Sequence, residues 1–147
     1  MFNLIQFDIE GRRVLDLFAG TGQLGIEALS RGARSAVFVD ESRAAVQLVR
    51  ANLALCRLQG DVVQGESLGY LRTCGKFDLI FLDPPYKKGW ISRLEPLLPG
   101  VLNEDAAIYV EAEHEVESLG DWRTVRQGKA GEVHFHLLRR ETGGTSA

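Results

Sequence analysis

Apolar residues in this chain fall in short unbroken blocks, separated by stretches where they recur every three or four positions. An unbroken block bounded by turn residues predicts a strand buried on both faces. Residues 13–18, 35–40, 77–82 and 106–111 fit that description, with a shorter third strand at 61–64. The stretches between them predict helices. One spans 22–31, with Leu24, Ala28 and Leu29 on one face and Gly32 as its stop. Ser42 is placed to cap a second helix reaching Cys56, and 67–74 and 91–98 form shorter ones, the last closed by Pro99-Gly100. Two final strands, near 122–127 and 132–139, are joined by a hairpin turn at Gly128-Lys129-Ala130-Gly131. Strands alternating with helices predict an α/β fold, a mostly parallel sheet with helices on both faces. Residues 1–140 read as one domain and the polar tail 141–147 as disordered.

Composition adds bounds rather than a function. The chain has 147 residues, 45% of them hydrophobic and 25% charged, as in an ordinary globular protein. No apolar run approaches the ~20 residues that span a bilayer, and residues 1–8 carry no basic signal-peptide start. The expectation is a cytoplasmic monomer with no membrane contact. Cys56 and Cys74 form no Cys-x-x-Cys pair and read as buried, reduced thiols. A net charge of −3 argues against a protein that grips nucleic acid over its whole surface, and leaves room for a local basic patch.

Chemistry enters after the first strand. Gly20-Thr21-Gly22-Gln23-Leu24-Gly25 spells G-x-G-x-x-G at a strand-to-helix junction, and Asp40 follows Gly20 at the end of the second strand. The pattern suits an adenosine-bearing ligand, whether a nicotinamide dinucleotide or another. Asp16 separates the two. A carboxylate at the end of the first strand repels a pyrophosphate and attracts the ammonium and sulfonium of S-adenosylmethionine. Asp16, Phe18, Ala19, Gly20, Thr21 and Gly22 are therefore expected to hold that cofactor. Asp40 would accept from its ribose hydroxyls, and Glu66, with Ser67 beside it, from its adenine amino group. The plain alternatives are a tight turn without ligand and ordinary helix-start acids.

The fourth strand ends in Asp83-Pro84-Pro85-Tyr86. Two prolines fix φ and remove two backbone donors, leaving an acidic side chain, a bare carbonyl and an aromatic face together. That slot fits a planar base bearing an exocyclic amine. Asp83 and the Pro84 carbonyl would take its two hydrogens and aim the lone pair at the methyl group. Asp83 would take up the released proton, and Tyr86 would stack on the base. Asp83, Pro84, Pro85 and Tyr86 are the catalytic candidates; a rigid surface turn is the alternative. The Lys87-Lys88 pair could meet phosphate, with Trp90 stacking or packing in the core. His134 and His136 share one strand face, expected to be partly exposed, and no metal-ligand set accompanies them.

With these motifs the chain resembles the bacterial small-subunit ribosomal RNA guanine-N2 methyltransferases of the RsmD type. The resemblance rests on residues 15–33, above all Gly25-Ile26-Glu27-Ala28-Leu29-Ser30-Arg31-Gly32-Ala33. Phe38-Val39-Asp40, Asp83-Pro84-Pro85-Tyr86 and Ile108-Tyr109-Val110-Glu111 add to it. It implies a class I methyltransferase sheet with its last strand antiparallel between its neighbours. It also implies S-adenosylmethionine as donor and an unpaired guanine of ribosomal RNA, in an assembled or assembling small subunit, as acceptor. The family carries a basic N-terminal segment before the position of Phe2 that is not present in these 147 residues. Glu66 stands where the family usually has Asp or Asn, and Asp40 where Glu is common. The alternatives are an amino-group methyltransferase acting on DNA adenine or a protein glutamine, and a cofactor-binding domain inactive alone. A dehydrogenase is the reading Asp16 opposes.

Overall fold

The computed structural model describes residues 8–85 and 89–140. In chain order the elements are β1 (Arg13–Asp16), α1 (Gln23–Ser30), β2 (Ser35–Asp40), α2 (Arg43–Cys56), β3 (Asp61–Gln64), α3 (Ser67–Thr73) and β4 (Phe77–Leu82). Then come α4 (Trp90–Leu94), two 3-10 turns, β5 (Leu102–Ala112), β6 (Ser118–Leu119), β7 (Trp122–Ala130) and β8 (Val133–Arg140). They build one eight-stranded sheet in the order β3-β2-β1-β4-β5-β8-β7-β6. The first five strands run parallel, and β8 lies antiparallel between β5 and β7, as the resemblance implied.

Strand alternation sorts the apolar blocks onto two faces. Leu15, Leu17, Ile80, Leu82, Ile108 and Val110 pack in the core on one side, with Leu71 of α3 and Leu94 of α4. Val14, Phe38, Leu79, Phe81, Ala107 and Tyr109 pack in the core on the other, with Ala28 of α1 and Val49 and Leu53 of α2. Helix α1 lies so close to β2 that a β-carbon on Gly25 would come within 2.4 Å of the Phe38 ring. The third glycine of the motif is thus a packing requirement. Ser42 does cap α2, its Oγ accepting from the Ala45 N–H at 3.2 Å. Among the described residues no helix is long and apolar enough to cross a membrane.

Several expectations are corrected at the element ends. β1 stops at Asp16, where the chain turns into the glycine loop. α4 is a single short helix that gives way at Glu95–Leu97 to a 3-10 turn, because Pro96 lacks the N–H that would continue it. β5 begins earlier, at Leu102, and carries polar residues 103–105 along the sheet. The Asn103 side chain donates to the Asp78 carboxylate at 2.8 Å there. The hairpin turn lies past the expected position: Ala130 pairs with Val133, and Gly131, at φ +61, fills the first turn position that demands positive φ. Cys56 is exposed at the end of α2, while Cys74 is partly buried. His136 is fully buried, its Nε2 accepting from the Val116 N–H at 2.9 Å and its Nδ1–H donating to the Val110 carbonyl at 3.3 Å.

Candidate active site

The sheet order reverses at β1, which leads outward to β2 and β3 on one side and to β4 on the other. Loops leaving the carboxyl ends of β1 and β4 diverge there and open a crevice, the usual ligand site of such sheets. The glycine loop leaves β1. Its backbone is held by Leu17 N–H donating to the Phe81 carbonyl at 3.2 Å and Ala19 N–H to Val39 at 3.0 Å. Gly20 and Gly22 adopt φ +57 and +82, conformations costly for other residues. Asn52 of α2 donates to the Thr21 carbonyl at 2.9 Å and ties the loop's outer side to the helix.

A cavity of about 230 Å³ results, lined by Asp16, Phe18, Ala19, Gly20, Thr21, Gln23, Leu24, Asp83, Tyr109 and Glu111. Six of the expected cofactor and catalytic residues thus meet at one place: Asp16, Phe18, Ala19, Gly20, Thr21 and Asp83. Gly22 lies behind the loop, under Val49. Asp40 lies outside the lining and uses both carboxylate oxygens on backbone, accepting from Gly20 N–H and Ser42 N–H at 2.9 Å each. Lone pairs remain on both oxygens for further donors. Glu66 is exposed beside the start of α3, and the adjoining Ser67 is buried with an Oγ that has no partner among the described residues. Pro84 is buried and Pro85 exposed. Tyr86, Lys87 and Lys88 lie outside the described residues. Trp90 is half-buried, edge-on to Phe18 with ring centroids 5.2 Å apart and with the Arg93 guanidinium over its ring. A larger groove, about 960 Å³, runs between α2 and the edge strand β3. It is lined by Asp61 at the start of β3 and by none of Asp16, Asp83 and Glu111, which stand at the carboxyl ends of the strands.

Two lining residues, Tyr109 and Glu111, were named above only among the motifs of the resemblance. Register explains their presence. Asp16 pairs with Phe81, and Phe81 with Tyr109, across three adjacent strands. One alternation further on, Asp83 and Glu111 continue the same sheet face beyond Phe81 and Tyr109. Three carboxyl groups therefore converge at the strand ends. The Tyr109 hydroxyl donates to Glu111 Oε2 at 2.8 Å.

That convergence governs protonation. Asp16 is 2% exposed, and its carboxyl pKa is pushed up to about 8. Burial is the main cause; the charges of Asp83, Asp40 and Glu111 add to it, against the lowering effect of the Gly25 N–H bond at 3.1 Å. Asp83 is exposed as a residue, yet its carboxyl lines the crevice, where desolvation, followed by the charge of Glu111, raises it to about 6. Burial and the neighbouring carboxylates also push the Tyr109 phenol up, so it stays a donor. Such a site disfavours an anion and suits a cation.

A mostly parallel sheet with this order, a glycine loop at its switch point and an acidic crevice define a class I methyltransferase, the S-adenosylmethionine-dependent type. The chain belongs to the family described as Conserved hypothetical protein 95, whose model matches residues 1–139 and which is the RsmD family the motifs resembled. Ribosomal RNA small subunit methyltransferase D of Escherichia coli (strain K12) is 35% identical over 153 residues, covering 99% of this chain and 77% of that protein. Putative rRNA methyltransferase YlbH of Bacillus subtilis (strain 168) is 39% identical over 142 residues, covering 89% and 77%. Among solved structures, the putative methyltransferase yhhF from Escherichia coli matches with a TM-score of 0.84 at 36% identity, covering 95% of this chain and 80% of that one. SMU.776, a putative methyltransferase complexed with SAH, matches in fold with a TM-score of 0.78 at 16% identity, covering 92% and 47%.

Proposed function

We propose that this protein methylates the exocyclic N2 amine of a guanine in small-subunit ribosomal RNA. The observation that carries the reading is the meeting of Asp83 with Asp16 and the glycine loop in one crevice. Relatives named as ribosomal RNA methyltransferases support the substrate class.

The residues present fit S-adenosylmethionine. The crevice offers carboxylates to a ligand bearing an ammonium and a sulfonium. A β-carbon on Gly20 would meet no protein atom within 4 Å, so the backbone there is open to a ligand. The orphaned Ser67 Oγ, at the same end of the sheet, lacks only a partner. Asp16 would face the cationic part, Phe18, Ala19, Gly20 and Thr21 would border it, and Asp40, Glu66 and Ser67 would bind toward the ribose and adenine. When bound, the cofactor supplies a methyl group whose carbon–sulfur bond breaks with the electron pair remaining on sulfur.

Asp83 and the Pro84 carbonyl accept the two amine hydrogens. The nitrogen, whose lone pair is otherwise delocalised into the ring, is thereby drawn toward tetrahedral geometry. It forms the new N–C bond, and Asp83 receives the proton the nitrogen sheds. With its pKa near 6, Asp83 is ionised at neutral pH and still basic enough for that role. Tyr86 would stack on the base.

The test is transfer of labelled methyl to small-subunit particles. Asp83→Ala should lower kcat at least ~1000-fold while S-adenosylhomocysteine binds within a few-fold of wild type. Turnover at the wild-type rate in that variant would contradict the assigned role.

A further inference from the structure

Beyond Asp83-Pro84 lies a second, smaller cavity of about 120 Å³, lined by Pro84, Pro85, Trp90, Glu111 and His114 among others. Of the residues lining this cavity and the cofactor crevice, Glu111 alone belongs to both. It therefore stands in the wall between the proposed methyl donor and whatever presents its amine to Asp83. One oxygen of Glu111 is fixed: Oε2 accepts from the Tyr109 hydroxyl. Tyr109 is 2% exposed and locked edge-on against Phe81, with centroids 5.8 Å apart, so the carboxylate is held on a rigid support. Among the described residues the hydrogen bond that fixes the side chain uses Oε2, which leaves Oε1 to face the cavity side.

A purine amine can sit on either of two ring edges, which differ beside the nitrogen. In guanine the neighbour of the N2 amine is N1–H, a donor. In adenine the neighbour of the N6 amine is N1 without hydrogen, an acceptor. A carboxylate next to the one that receives the amine accepts from the first and repels the second. Across the same cavity, the buried Trp90 Nε1–H has no partner among the described residues, and guanine alone offers O6 as an acceptor on that edge.

Resting on the methyltransferase reading above, we propose that Glu111 is the specificity-determining residue of the site, its carboxylate accepting from guanine N1–H while Asp83 and Pro84 hold the N2 amine. Glu111 is then not a proton carrier: Asp83 is. It makes guanine the base that fits and an N1-acceptor purine the base that does not.

The experiment uses small-subunit RNA assembled with its proteins and carrying, at the methylated position, either guanine or 2-aminopurine. The analogue keeps the N2 amine, replaces N1–H by a bare nitrogen and lacks O6; the loss of O6 is common to wild type and variant, so the change in preference on Glu111→Gln reports the N1 contact. Wild type should prefer guanine in kcat/KM by at least about 100-fold, because a site built to bond a donor rejects an analogue that lacks it. In Glu111→Gln the amide can turn its NH2 toward the bare nitrogen. The preference should shrink at least ~10-fold, with 2-aminopurine used as well as or better than by wild type. Tyr109→Phe, which frees the carboxylate, should also shrink it. The preference is a ratio within one protein, so partial unfolding cancels. Equal use of the two bases by wild type, or an unchanged ratio in Glu111→Gln, overturns this role while leaving the methyltransferase reading intact. Failure of wild type to methylate guanine overturns both.

Discussion

Asp16 is the most deeply buried carboxyl of the crevice, and the consequences are measurable. An isolated aspartate titrates near ~3.9, whereas here burial raises the pKa to about 8. Between those values the folded protein holds a proton that the unfolded chain releases. The contribution of Asp16 to stability is therefore most favourable below the unfolded pKa and declines as pH rises toward 8. Asp16→Asn keeps an acceptor for Gly25 N–H and removes the titration. It should melt several degrees higher than wild type at pH 8, with the gap closing toward pH 5, as scanning calorimetry would show. The same variant should bind S-adenosylmethionine at least ~10-fold more weakly, since the charge that attracts the cation is gone. Wild-type binding should release a proton near neutral pH, read from calorimetry in buffers of different ionisation enthalpy. Asp83 predicts a second pH effect. Methyl transfer should fall as pH drops through about 6, where its carboxylate protonates and can no longer accept from the amine.

At the scale of elements, what sequence revealed and what it hid follow from burial. β2 and β4 have the expected bounds because both faces of each are covered and nearly every residue in them is apolar. β5 extends four residues earlier than expected, because Asn103, Glu104 and Asp105 sit in a strand whose partner register is irregular between Phe77 and Leu79. Polar pattern alone cannot reveal a strand set by its neighbour. Glu111 escaped a role for a related reason. Its parity with Asp83 depends on the β4–β5 register, which is a property of the pair of strands. Gly25, by contrast, was legible as part of a motif, and the structure supplies the cause in Phe38. Gly25→Ala should cost about 1–3 kcal/mol in denaturant unfolding, the usual penalty for overpacking a close contact. His136 ties β8 to β5 and to the segment at Val116 as a neutral imidazole, and burial lowers its pKa. The unfolded chain takes up a proton near ~6.5 that the folded state resists, so its contribution falls as pH drops below that value. His136→Gln should flatten the pH dependence of melting between pH 7 and 5 relative to wild type.

For the molecule as a whole, the sheet order does the positioning: it places the ends of β1, β4 and β5 side by side, and three carboxyl groups from distant parts of the sequence share one face. For the RNA substrate proposed above, a net charge of −3 argues against an electrostatic grip over the whole surface. Affinity for naked RNA of arbitrary sequence should be no tighter than about 10⁻⁶ M at physiological salt, with selectivity arising from shape and from the base in the slot. Fluorescence anisotropy over a salt series checks this.

The identity of the methylated atom distinguishes the proposed reaction from every alternative. Small-subunit particles lacking the modification, incubated with the protein and labelled S-adenosylmethionine, should yield N2-methylguanosine as the labelled nucleoside after digestion and mass analysis. Label on a ring nitrogen, on adenine N6, or on ribosomal protein instead would contradict the account.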